Sequence, residues 1–305
     1  MPTVALATCR EFPELDNEDR LLIPELRALG IDVVPAVWDD DTVTWSDFDA
    51  VVIRETWDYV DRRGMFVSWL RTVDVASLLL NPLTVLEWNT DKRYLRDLAN
   101  AGIPVVPTIF VEPGEDEAGW RPDLAFDDFV IKPAVSAGSR DTGRYSTAGE
   151  PEAAQRHVAR LLRSGRTVMI QPYLKAVDTD GETAIVFLAG EFSHSVRKGP
   201  MLKRGREAEP ISGLFLQEQI SPRIPTNDQL ALAASAVACV PGGSDQLLYG
   251  RVDLVTAPDG APRILELELT EPSLFLSHQE GSAGRLARAL AARISSEQGP
   301  TRPPR

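Results

Sequence analysis

Acidic side chains with the spacing of metal ligands occur near the carboxyl end of the chain. Asp253 lies in one segment that alternates between polar and apolar residues, and Glu266 and Glu268 lie in the next. Alternation with a period of two is typical of strands, and Ala257-Pro258-Asp259-Gly260 between them is a favourable turn sequence. In a hairpin of suitable register the three carboxylates share one face. Clustered carboxylate oxygens suit Mg²⁺, which usually enters such sites together with nucleotide phosphates.

The second of these segments also predicts which side chains of the hairpin are buried. Leu265, Leu267 and Leu269 alternate with the two glutamates, so we expect the leucines on the apolar face and Glu266 and Glu268 on the other. The solvated face of an ordinary antiparallel hairpin explains the same pattern without a metal. The segment alone leaves both interpretations open.

A lysine further upstream is placed to meet an anion. A strand predicted from Asp128 to Pro133 carries Lys132 near its end and leads into a loop of small residues, Ser136-Ala137-Gly138-Ser139. Residues of this kind allow backbone N–H groups to approach a phosphate closely. The loop therefore has the composition of a phosphate-binding loop.

A second lysine is predicted at the start of a helix. Asn89 or Thr90 would cap a helix that Gly102 ends, which places Lys92 in its first turn. The helix dipole disfavours a cation there, so an anion bound near the helix start would explain it. The alternative is a single exposed lysine without a ligand.

The sequence lacks the motifs of several common enzyme classes. No Gly-Lys-Ser/Thr follows the small-residue loop, and no Gly-x-Gly-x-x-Gly follows a strand, which excludes P-loop and dinucleotide-binding folds. No Gly-x-Ser-x-Gly elbow of a serine hydrolase occurs either. His194, on a predicted strand, is a candidate proton acceptor with a structural role as the alternative.

A polar segment follows a predicted buried strand in the amino-terminal region. Arg54, Trp57, Asp58 and Tyr59 combine charge with aromatic surface. In a parallel sheet such loops lie at the carboxyl ends of the strands, where ligands bind. The combination suits a small zwitterion, and a loop anchored by aromatic packing is the alternative.

The composition excludes several classes of partner. The net charge of −13 argues against nucleic acid and anionic membranes, and no apolar run approaches the roughly 20 residues of a membrane span. The two cysteines, Cys9 and Cys239, give no disulfide framework, and the amino terminus lacks a signal-peptide pattern. We expect a cytoplasmic protein that binds a small amino-acid-like substrate, with homodimer formation left open.

The candidate side chains require elements that bring them together. Strands that alternate with helices over residues 1–85 predict a parallel sheet with helices on its faces. The first helix is expected at 16–29, with a kink at Pro24.

The remaining chain is expected to form two further units. Residues 86–170 are predicted as a central region that includes a small lid at about 122–170, and residues 171–296 as a region of antiparallel sheet. The segment 199–224 has no clear periodicity, and residues 297–305 are expected to be a flexible tail.

Taken in order, five pieces of this chain resemble the ATP-grasp superfamily of carboxylate–amine ligases, over nearly its whole length. They are Asp91-Lys92, Val130-Ile131-Lys132-Pro133, Ser136-Ala137-Gly138-Ser139, Gln171-Pro172-Tyr173-Leu174, and Asp253 with Glu266-Leu267-Glu268. The resemblance implies an α/β and α+β protein in which a parallel amino-terminal lobe precedes two lobes that clamp a nucleotide between sheets. Glu268 stands where the family commonly has Asn, and a third carboxylate still suits Mg²⁺.

Within that superfamily the chain is similar to the branch of O-ureido-D-serine cyclo-ligases of D-cycloserine biosynthesis. The segments that carry this similarity are Thr56-Trp57-Asp58-Tyr59, Trp88 to Leu95, Lys132 to Gly138, and Glu271-Pro272-Ser273-Leu274-Phe275. The branch implies intramolecular cyclisation of an O-ureido-serine-like substrate.

The resemblance implies a role for each candidate residue. The implied ATP contacts are Lys92 and Lys132 for the α- and β-phosphates, the 136–142 loop (Ser136, Ala137, Gly138, Ser139) for the γ-phosphate, Gln171, Tyr173 and Leu174 for adenine, and Asp178 for ribose. The implied ligands of two Mg²⁺ or Mn²⁺ ions are Asp253, Glu266 and Glu268. The groups implied to face the transferred phosphoryl group and substrate carboxylate are Arg197, Lys198 and Arg251. The other implied substrate contacts are Arg54, Trp57, Asp58, Tyr59 and Ser273.

The chemistry implied by the resemblance follows from charge. A carboxylate that attacks the γ-phosphate is an anion approaching an anion, so metals and cations must neutralise both. The resulting acyl phosphate is hydrolysable and requires a lid that excludes water. An amine then attacks the acyl carbon. The alternatives are an intermolecular amino-acid or peptide ligase and a nucleotide-binding scaffold without catalysis.

Overall fold

The computed structural model of the protein describes residues 1–114, 124–207 and 219–297. Its strands are β1 (Thr3–Thr8), β2 (Asp32–Val37), β3 (Ala50–Glu55), β4 (Leu78–Leu80), β5 (Ile109–Val111), β6 (Asp128–Pro133), β7 (Gly143–Ser146), β8 (Val168–Pro172), β9 (Glu182–Leu188), β10 (Glu191–Lys198), β11 (Arg206–Glu207), β12 (Ile220–Pro222), β13 (Tyr249–Thr256) and β14 (Pro262–Glu268). Its α-helices are α1 (Leu22–Ala28), α2 (Arg63–Ala76), α3 (Leu83–Asn89), α4 (Tyr94–Asn100), α5 (Pro151–Arg163), α6 (Ala176–Asp180), α7 (Asn227–Ala238) and α8 (Ser282–Glu297). Among these residues, no helix has the length and apolar character needed to cross a membrane.

Parts of three predicted segments lie outside the described residues. They are residues 122–123 of the expected lid, 208–218 of the segment 199–224, and 298–305 of the expected tail. The predicted domain boundaries themselves stay predictions.

The first sheet is parallel, as predicted, with the strand order β2-β1-β3-β4. Alternate residues of β1 enter two different cores. Val4 and Leu6 belong to the core that includes residues of α1 and α8, whereas Ala5 and Ala7 belong to the core that includes residues of α2. Helices therefore cover both faces of this sheet, as its continuous apolar strands require.

The first helix differs from the prediction of a kinked helix at 16–29. A 3₁₀ turn, Asp19–Leu21, precedes α1, and Gly30 follows it with a φ of 74°. Pro24 consequently lies in the first turn of α1, where backbone N–H groups have no partner within the helix. The predicted kink is therefore wrong.

The second sheet is antiparallel, with the order β11-β7-β6-β8-β5. The helix α5 covers it, since Val158 and Leu161 pack with Phe129 and Ile131 of β6 in one apolar core. Lys132 follows Ile131 and so projects from the face opposite this core. The antiparallel pairing of β6 with β8 fixes that orientation.

The third sheet is also antiparallel, with the order β12-β10-β9-β13-β14. The connection between β9 and β10 is the two-residue turn Ala189-Gly190, whose φ values are 51° and 81°. Positive φ at both central positions is the turn geometry that matches the twist of a hairpin. Asp253 of β13 pairs directly with Glu266 of β14.

The helix predicted to start at Asn89 or Thr90 is in fact two helices. Asn89 is the last residue of α3, and Lys92 lies in the connection before α4 begins at Tyr94. The placement of Lys92 in the first turn of a helix is therefore wrong. The amide of Asn89 instead donates to Leu267 O at 2.7 Å and accepts from Leu269 N at 2.7 Å, so this region is fixed to β14.

Buried polar contacts join the first sheet to the third. The Tyr249 hydroxyl donates to Ile53 O at 2.6 Å, and Asn81 Nδ2 donates to Leu269 O at 2.8 Å. These contacts hold the end of β3 beside the strands that carry the acidic residues.

Candidate active site

Most of the candidate residues line a cavity of about 290 Å³. Strands β6 and β8 of the second sheet and β13 and β14 of the third contribute to its walls. Trp57 and Tyr59 from the loop after β3 line it as well. All three sheets therefore position groups around one cavity.

The three predicted metal ligands come together, and two of them, Glu266 and Glu268, line this cavity. Asp253, Glu266 and Glu268 each offer a carboxylate oxygen, and these oxygens lie within 4.8 Å of one another. The donor set of three hard oxygen ligands on two paired strands fits Mg²⁺ or Mn²⁺. The alternative of a merely solvated hairpin face does not hold, because Asp253 is 1% exposed.

The buried face of β14 differs from the prediction at one leucine. The pairing with β13 shifts after Asp253, so that Leu254 pairs with Ile264 and Leu265 is the extra residue of a bulge. Ile264 consequently joins Leu267 in the core, and Leu265 lines the cavity. The predicted burial of Leu265 with the other leucines is wrong.

Two lysines approach Glu266 from different elements. Lys132 Nζ lies 2.8 Å from Glu266 Oε1, and Lys92 Nζ lies 3.8 Å from the same oxygen. Lys92 also donates to Ser136 O at 2.6 Å, at the start of the small-residue loop. Burial alone would raise the pKa of Glu266, but the Lys132 and Lys92 ammonium groups outweigh it and hold that pKa well below its usual range.

The other two carboxylates share a network with Arg251 and Lys198. Asp253 accepts from Arg251 Nε at 2.8 Å and from Lys198 Nζ at 3.0 Å. Burial opposes ionisation of Asp253, yet these two cations lower its pKa overall. Burial, together with the charges of Asp253 and Glu266, raises the pKa of Glu268 to about 8 even though Arg251 Nη2 lies 2.6 Å from its Oε1.

The small-residue loop lies over the same cavity. Ser136, Ala137, Gly138 and Ser139 all line it, and Gly138 and Ser139 have φ values of 61° and 58°. Consecutive residues in such conformations can turn their N–H groups toward an anion. This geometry suits a phosphate, as the composition of the loop predicted.

Charged contacts fix the far end of this loop. Asp141 accepts from Arg160 at 3.0 Å and from Arg166 at 2.6 Å. Arg140 Nη2 lies 2.7 Å from Oδ2 of Asp61, which ends the 3₁₀ helix Trp57–Asp61 after β3. The loop thus bridges the second sheet and the amino-terminal sheet.

The residues expected around adenine lie at another part of the cavity. Gln171, Tyr173 and Leu174 line it, and Gln171 Nε2 donates to Thr108 Oγ1 at 2.9 Å. The Tyr173 hydroxyl donates to Asp178 Oδ1 at 2.5 Å, and the Arg144 guanidinium carbon lies 3.4 Å from the centre of the Tyr173 ring. Asp178 therefore contacts the residues expected around adenine through its hydrogen bond with Tyr173.

Arg197 does not share the site with Lys198. Its Nε donates to Asp180 O at 2.8 Å and its Nη2 to Thr179 O at 3.1 Å. Neighbouring side chains of a strand point to opposite faces, and Lys198 is the one that lines the cavity. The prediction that both face the transferred phosphoryl group is wrong for Arg197.

Two predicted substrate contacts, Arg54 of β3 and Asp58 of the 3₁₀ helix after it, make internal contacts in the amino-terminal region. Arg54 is 1% exposed, and its Nε donates to Asp19 at 3.0 Å while its Nη2 donates to Pro272 O at 3.0 Å. Asp58 accepts from Trp38 Nε1 at 2.7 Å and also from Arg62. Both are committed to internal contacts, which corrects the prediction that they face the substrate.

The other predicted substrate contacts, Trp57, Tyr59 and Ser273, line the cavity. Trp57 Nε1 donates to Glu271 O at 3.0 Å, and the Tyr59 ring stacks on Phe66 with centroids 4.6 Å apart.

His194 is buried, with Nε2 2.8 Å from Leu274 O, and burial lowers its pKa. A structural role thus explains its contacts.

The cavity includes three acidic residues, Asp16, Glu182 and Glu271, that were not predicted as site residues. Glu182, at the start of β9, lies opposite Lys198 in the strand register, with Oε2 3.4 Å from its Nζ. The sequence could have predicted this pairing, but only after the register of the β9–β10 hairpin had been assigned. Glu271 also lines the cavity, but it lies beyond β14, where no strand periodicity predicts its direction.

Comparisons with known proteins agree over nearly the full chain. Residues 4–81 match the family model described as D-cycloserine synthetase DcsG, N-terminal domain. The cycloserine biosynthesis protein DcsG of Streptomyces lavendulae is 40% identical over 302 residues, covering 96% of this chain and 99% of that protein. The crystal structure of D-cycloserine synthetase DcsG matches with a TM-score of 0.84 and 37% identity, covering 96% and 99% of the two chains.

More distant structures share the fold alone. A RimK domain ATP-grasp protein from Sphaerobacter thermophilus matches with a TM-score of 0.64 and 18% identity, covering 95% of this chain and 99% of that one. D-alanine–D-alanine ligase from Bacillus anthracis, complexed with ATP, matches with a TM-score of 0.61 and 14% identity, covering 98% and 100%. The predicted ATP-grasp fold and the predicted similarity to the D-cycloserine biosynthesis branch are confirmed.

Proposed function

Because this chain belongs to the D-cycloserine synthetase DcsG family of ATP-grasp ligases, we propose that it cyclises an O-ureido-serine-like amino acid with ATP, as in D-cycloserine synthesis. As a member of that family it is a ligase that forms C–N bonds. The observation that supports the site most strongly is the convergence of Lys92 and Lys132 on Glu266, beside two further carboxylates. Phosphate-binding and metal-binding groups then meet at one place.

ATP would occupy the cavity between the second and third sheets. Lys92 and Lys132 would hold the α- and β-phosphates, and the 136–142 loop would cover the γ-phosphate. Gln171, Tyr173 and Leu174 would contact adenine. Asp178 accepts from the Tyr173 hydroxyl and is expected to reach the ribose hydroxyls from there.

Asp253, Glu266 and Glu268 would hold two Mg²⁺ or Mn²⁺ ions. The ions, when bound, neutralise phosphate charge and so favour nucleophilic attack on the γ-phosphorus. Lys132 and Arg251 compensate two of these carboxylates at 2.8 Å and 2.6 Å.

The chain's own residues would then position the acceptor. Arg251 and Lys198, both buried at the cavity wall, would attract the substrate carboxylate toward the γ-phosphate. A carboxylate oxygen bonds to the γ-phosphorus and ADP leaves with the electrons of the broken P–O bond. A nitrogen of the ureido group then bonds to the acyl carbon and gives up its proton to the departing phosphate, which leaves as the C–O bond breaks. The 136–142 loop would exclude water meanwhile.

The decisive experiment measures ADP and phosphate release with Mg-ATP and O-ureido-D-serine as the sole amino acid, together with mass analysis of the product. We expect turnover and a cyclic product. ADP release that requires a second amino acid would instead identify an intermolecular ligase. ATP binding without turnover on any amino acid, alone or in pairs, would identify a nucleotide-binding scaffold.

Cytoplasmic localisation and the formation of a homodimer stay predictions.

A further inference from the structure

Glu271 is a carboxylate of the cavity that has no part in the cluster of Asp253, Glu266 and Glu268. It follows β14 by three residues and lines the cavity. Trp57 Nε1, from the segment after β3, donates to its backbone carbonyl at 3.0 Å. Tyr59, from the same segment, lines the cavity with it.

The other acidic groups of the cavity have charged or backbone partners. Glu182, Glu266 and Glu268 each lie within 3.4 Å of a lysine or arginine nitrogen, and Asp16 accepts from Glu18 N and Asp19 N. A neighbour of the Glu271 carboxylate is the neutral phenol of Tyr59. Burial raises the pKa of Glu271 to about 7, although Lys92, from the α3–α4 connection, and Arg251, from β13, favour its ionised form. A carboxylate in this setting gains strongly from a cationic ligand.

The surroundings of Glu271 place it next to an anion-binding group. Arg251 Nη1 donates to Ser273 O at 2.9 Å, only two residues further along the chain. Trp57, Tyr59 and Ser273 line the same cavity. A carboxylate, a guanidinium group and aromatic rings in one cavity are complementary to an α-amino acid, whose ammonium and carboxylate groups are bonded to the same carbon.

We propose that Glu271, flanked by the rings of Trp57 and Tyr59, binds the α-ammonium group of the amino-acid substrate. The proposal rests on the proposed function and deepens it. The substrate carboxylate lies toward Arg251 and the γ-phosphate, and the ammonium group donates to the Glu271 carboxylate. Aromatic faces add a favourable interaction with the same cation. Glu271 thus determines specificity for α-amino acids and orients the carboxylate that is phosphorylated.

The test compares two ligands that differ only in the α-amino group, on two proteins that differ only at residue 271. ADP release is measured with O-ureido-D-serine and with its des-amino analogue, 3-(ureidooxy)propanoate, for the wild type and Glu271→Gln. We expect Glu271→Gln to lower kcat/KM for the amino acid by about 30-fold or more, the lower range for losing one partner of a buried charge pair. The des-amino analogue should be used equally poorly by both proteins.

Two further variants separate binding from structure. Glu271→Asp, which keeps the charge, should retain more of the discrimination between the two ligands than Glu271→Gln. Glu280→Gln makes the same chemical change at an exposed position and should match the wild type. The KM for Mg-ATP should stay near the wild-type value in Glu271→Gln, since the nucleotide site would remain intact.

Each outcome is decisive. Equal losses for the amino acid and its des-amino analogue in Glu271→Gln, or a wild type that does not distinguish the two ligands, would overturn the ammonium assignment. If the wild type uses a different amino acid from a panel, the proposed cyclisation fails, and the comparison of that amino acid with its own des-amino analogue decides the assignment. A wild type that uses no amino acid refutes both.

Discussion

The ammonium group of Lys132 lies 2.8 Å from Oε1 of Glu266, although 134 residues separate the two in the chain. One residue belongs to the second sheet and the other to the third, so the contact spans the cavity. Their side chains are 9% and 17% exposed, which keeps the interaction from full screening by water. A nucleotide phosphate that enters between them would find a cation on one wall and metal ligands on the other.

Removal of either partner of this pair should abolish turnover. Lys132→Ala deletes a phosphate contact and Glu266→Gln a metal ligand, so we expect each to lower the rate of ADP release by about 100-fold or more. Both variants should remain folded by circular dichroism. Lys92, 3.8 Å from Glu266, offsets part of the charge lost in Lys132→Ala, and in Glu266→Gln the carboxylates of Asp253 and Glu268 remain nearby. Glu280→Gln serves as the control. Normal turnover in either site variant would overturn the assignment.

The metal site predicts a specific change in magnesium dependence. Asp253→Asn should raise the Mg²⁺ concentration for half-maximal ADP release by about tenfold or more, since loss of even an outer partner of a metal site costs that much. Asp259→Asn alters a carboxylate on the same hairpin that instead pairs with Arg263 at 2.7 Å, and it should leave the dependence unchanged. EDTA should stop the reaction. Identical Mg²⁺ titrations for both variants would contradict the ligand assignment.

The pair of Arg140 and Asp61 predicts a link between loop closure and the amino-terminal sheet. These atoms lie 2.7 Å apart on partly exposed side chains, and exposed pairs contribute about 0.2–1 kcal/mol. Arg140→Asp should therefore raise the KM for ATP by up to about fivefold, and the double variant Arg140→Asp/Asp61→Arg should restore it.

The control for this prediction breaks an ion pair remote from the cavity. Arg71 and Glu87 lie 2.6 Å apart, with Arg71 62% exposed, so Arg71→Asp should leave the KM for ATP unchanged. An unrestored KM in the double variant, or an equal change in Arg71→Asp, would show that the Arg140 contact does not assist closure.

Glu55 predicts a pH dependence of stability. It is fully buried, and its Oε1 and Oε2 lie 2.9 Å and 3.0 Å from Asp16 N. Burial, followed by the charges of Asp19 and Asp16, raises the pKa of Glu55 to about 9. An unfolded glutamate titrates near about 4.3. Between these pH values the folded protein retains a proton that the unfolded chain releases, so the free energy of unfolding falls as pH rises.

Glu55→Gln removes this titration while keeping the shape of the side chain. We expect its Tm, relative to the wild type, to increase steadily from about pH 5 to about pH 9. The measurement is thermal unfolding of both proteins across that range. Parallel Tm curves would mean that Glu55 is ionised in the folded protein.

Much of the site is encoded by local sequence patterns. The turn Ala257-Pro258-Asp259-Gly260 and the alternation around Glu266 predict the hairpin and place two carboxylates on adjacent strands. The strand that carries Lys132 has the predicted bounds, Asp128–Pro133. Periodicity and turn chemistry act over a few residues, and so they can be recognised without the rest of the fold.

Tertiary structure decided which polar residues actually reach the cavity. Arg54 is as polar as Lys132, yet the buried carboxylate of Asp19 holds it inside the first lobe. The bulge at Leu265 places Ile264 in the core and Leu265 at the cavity. The pairing with β13 determines these positions, and it departs there from the alternation expected of a regular strand. Glu271 acquires its position from the aromatic residues of another lobe. In the case of Glu271, the partner Trp57 lies more than 200 positions away along the chain. A local sequence pattern contains no information about such distant partners.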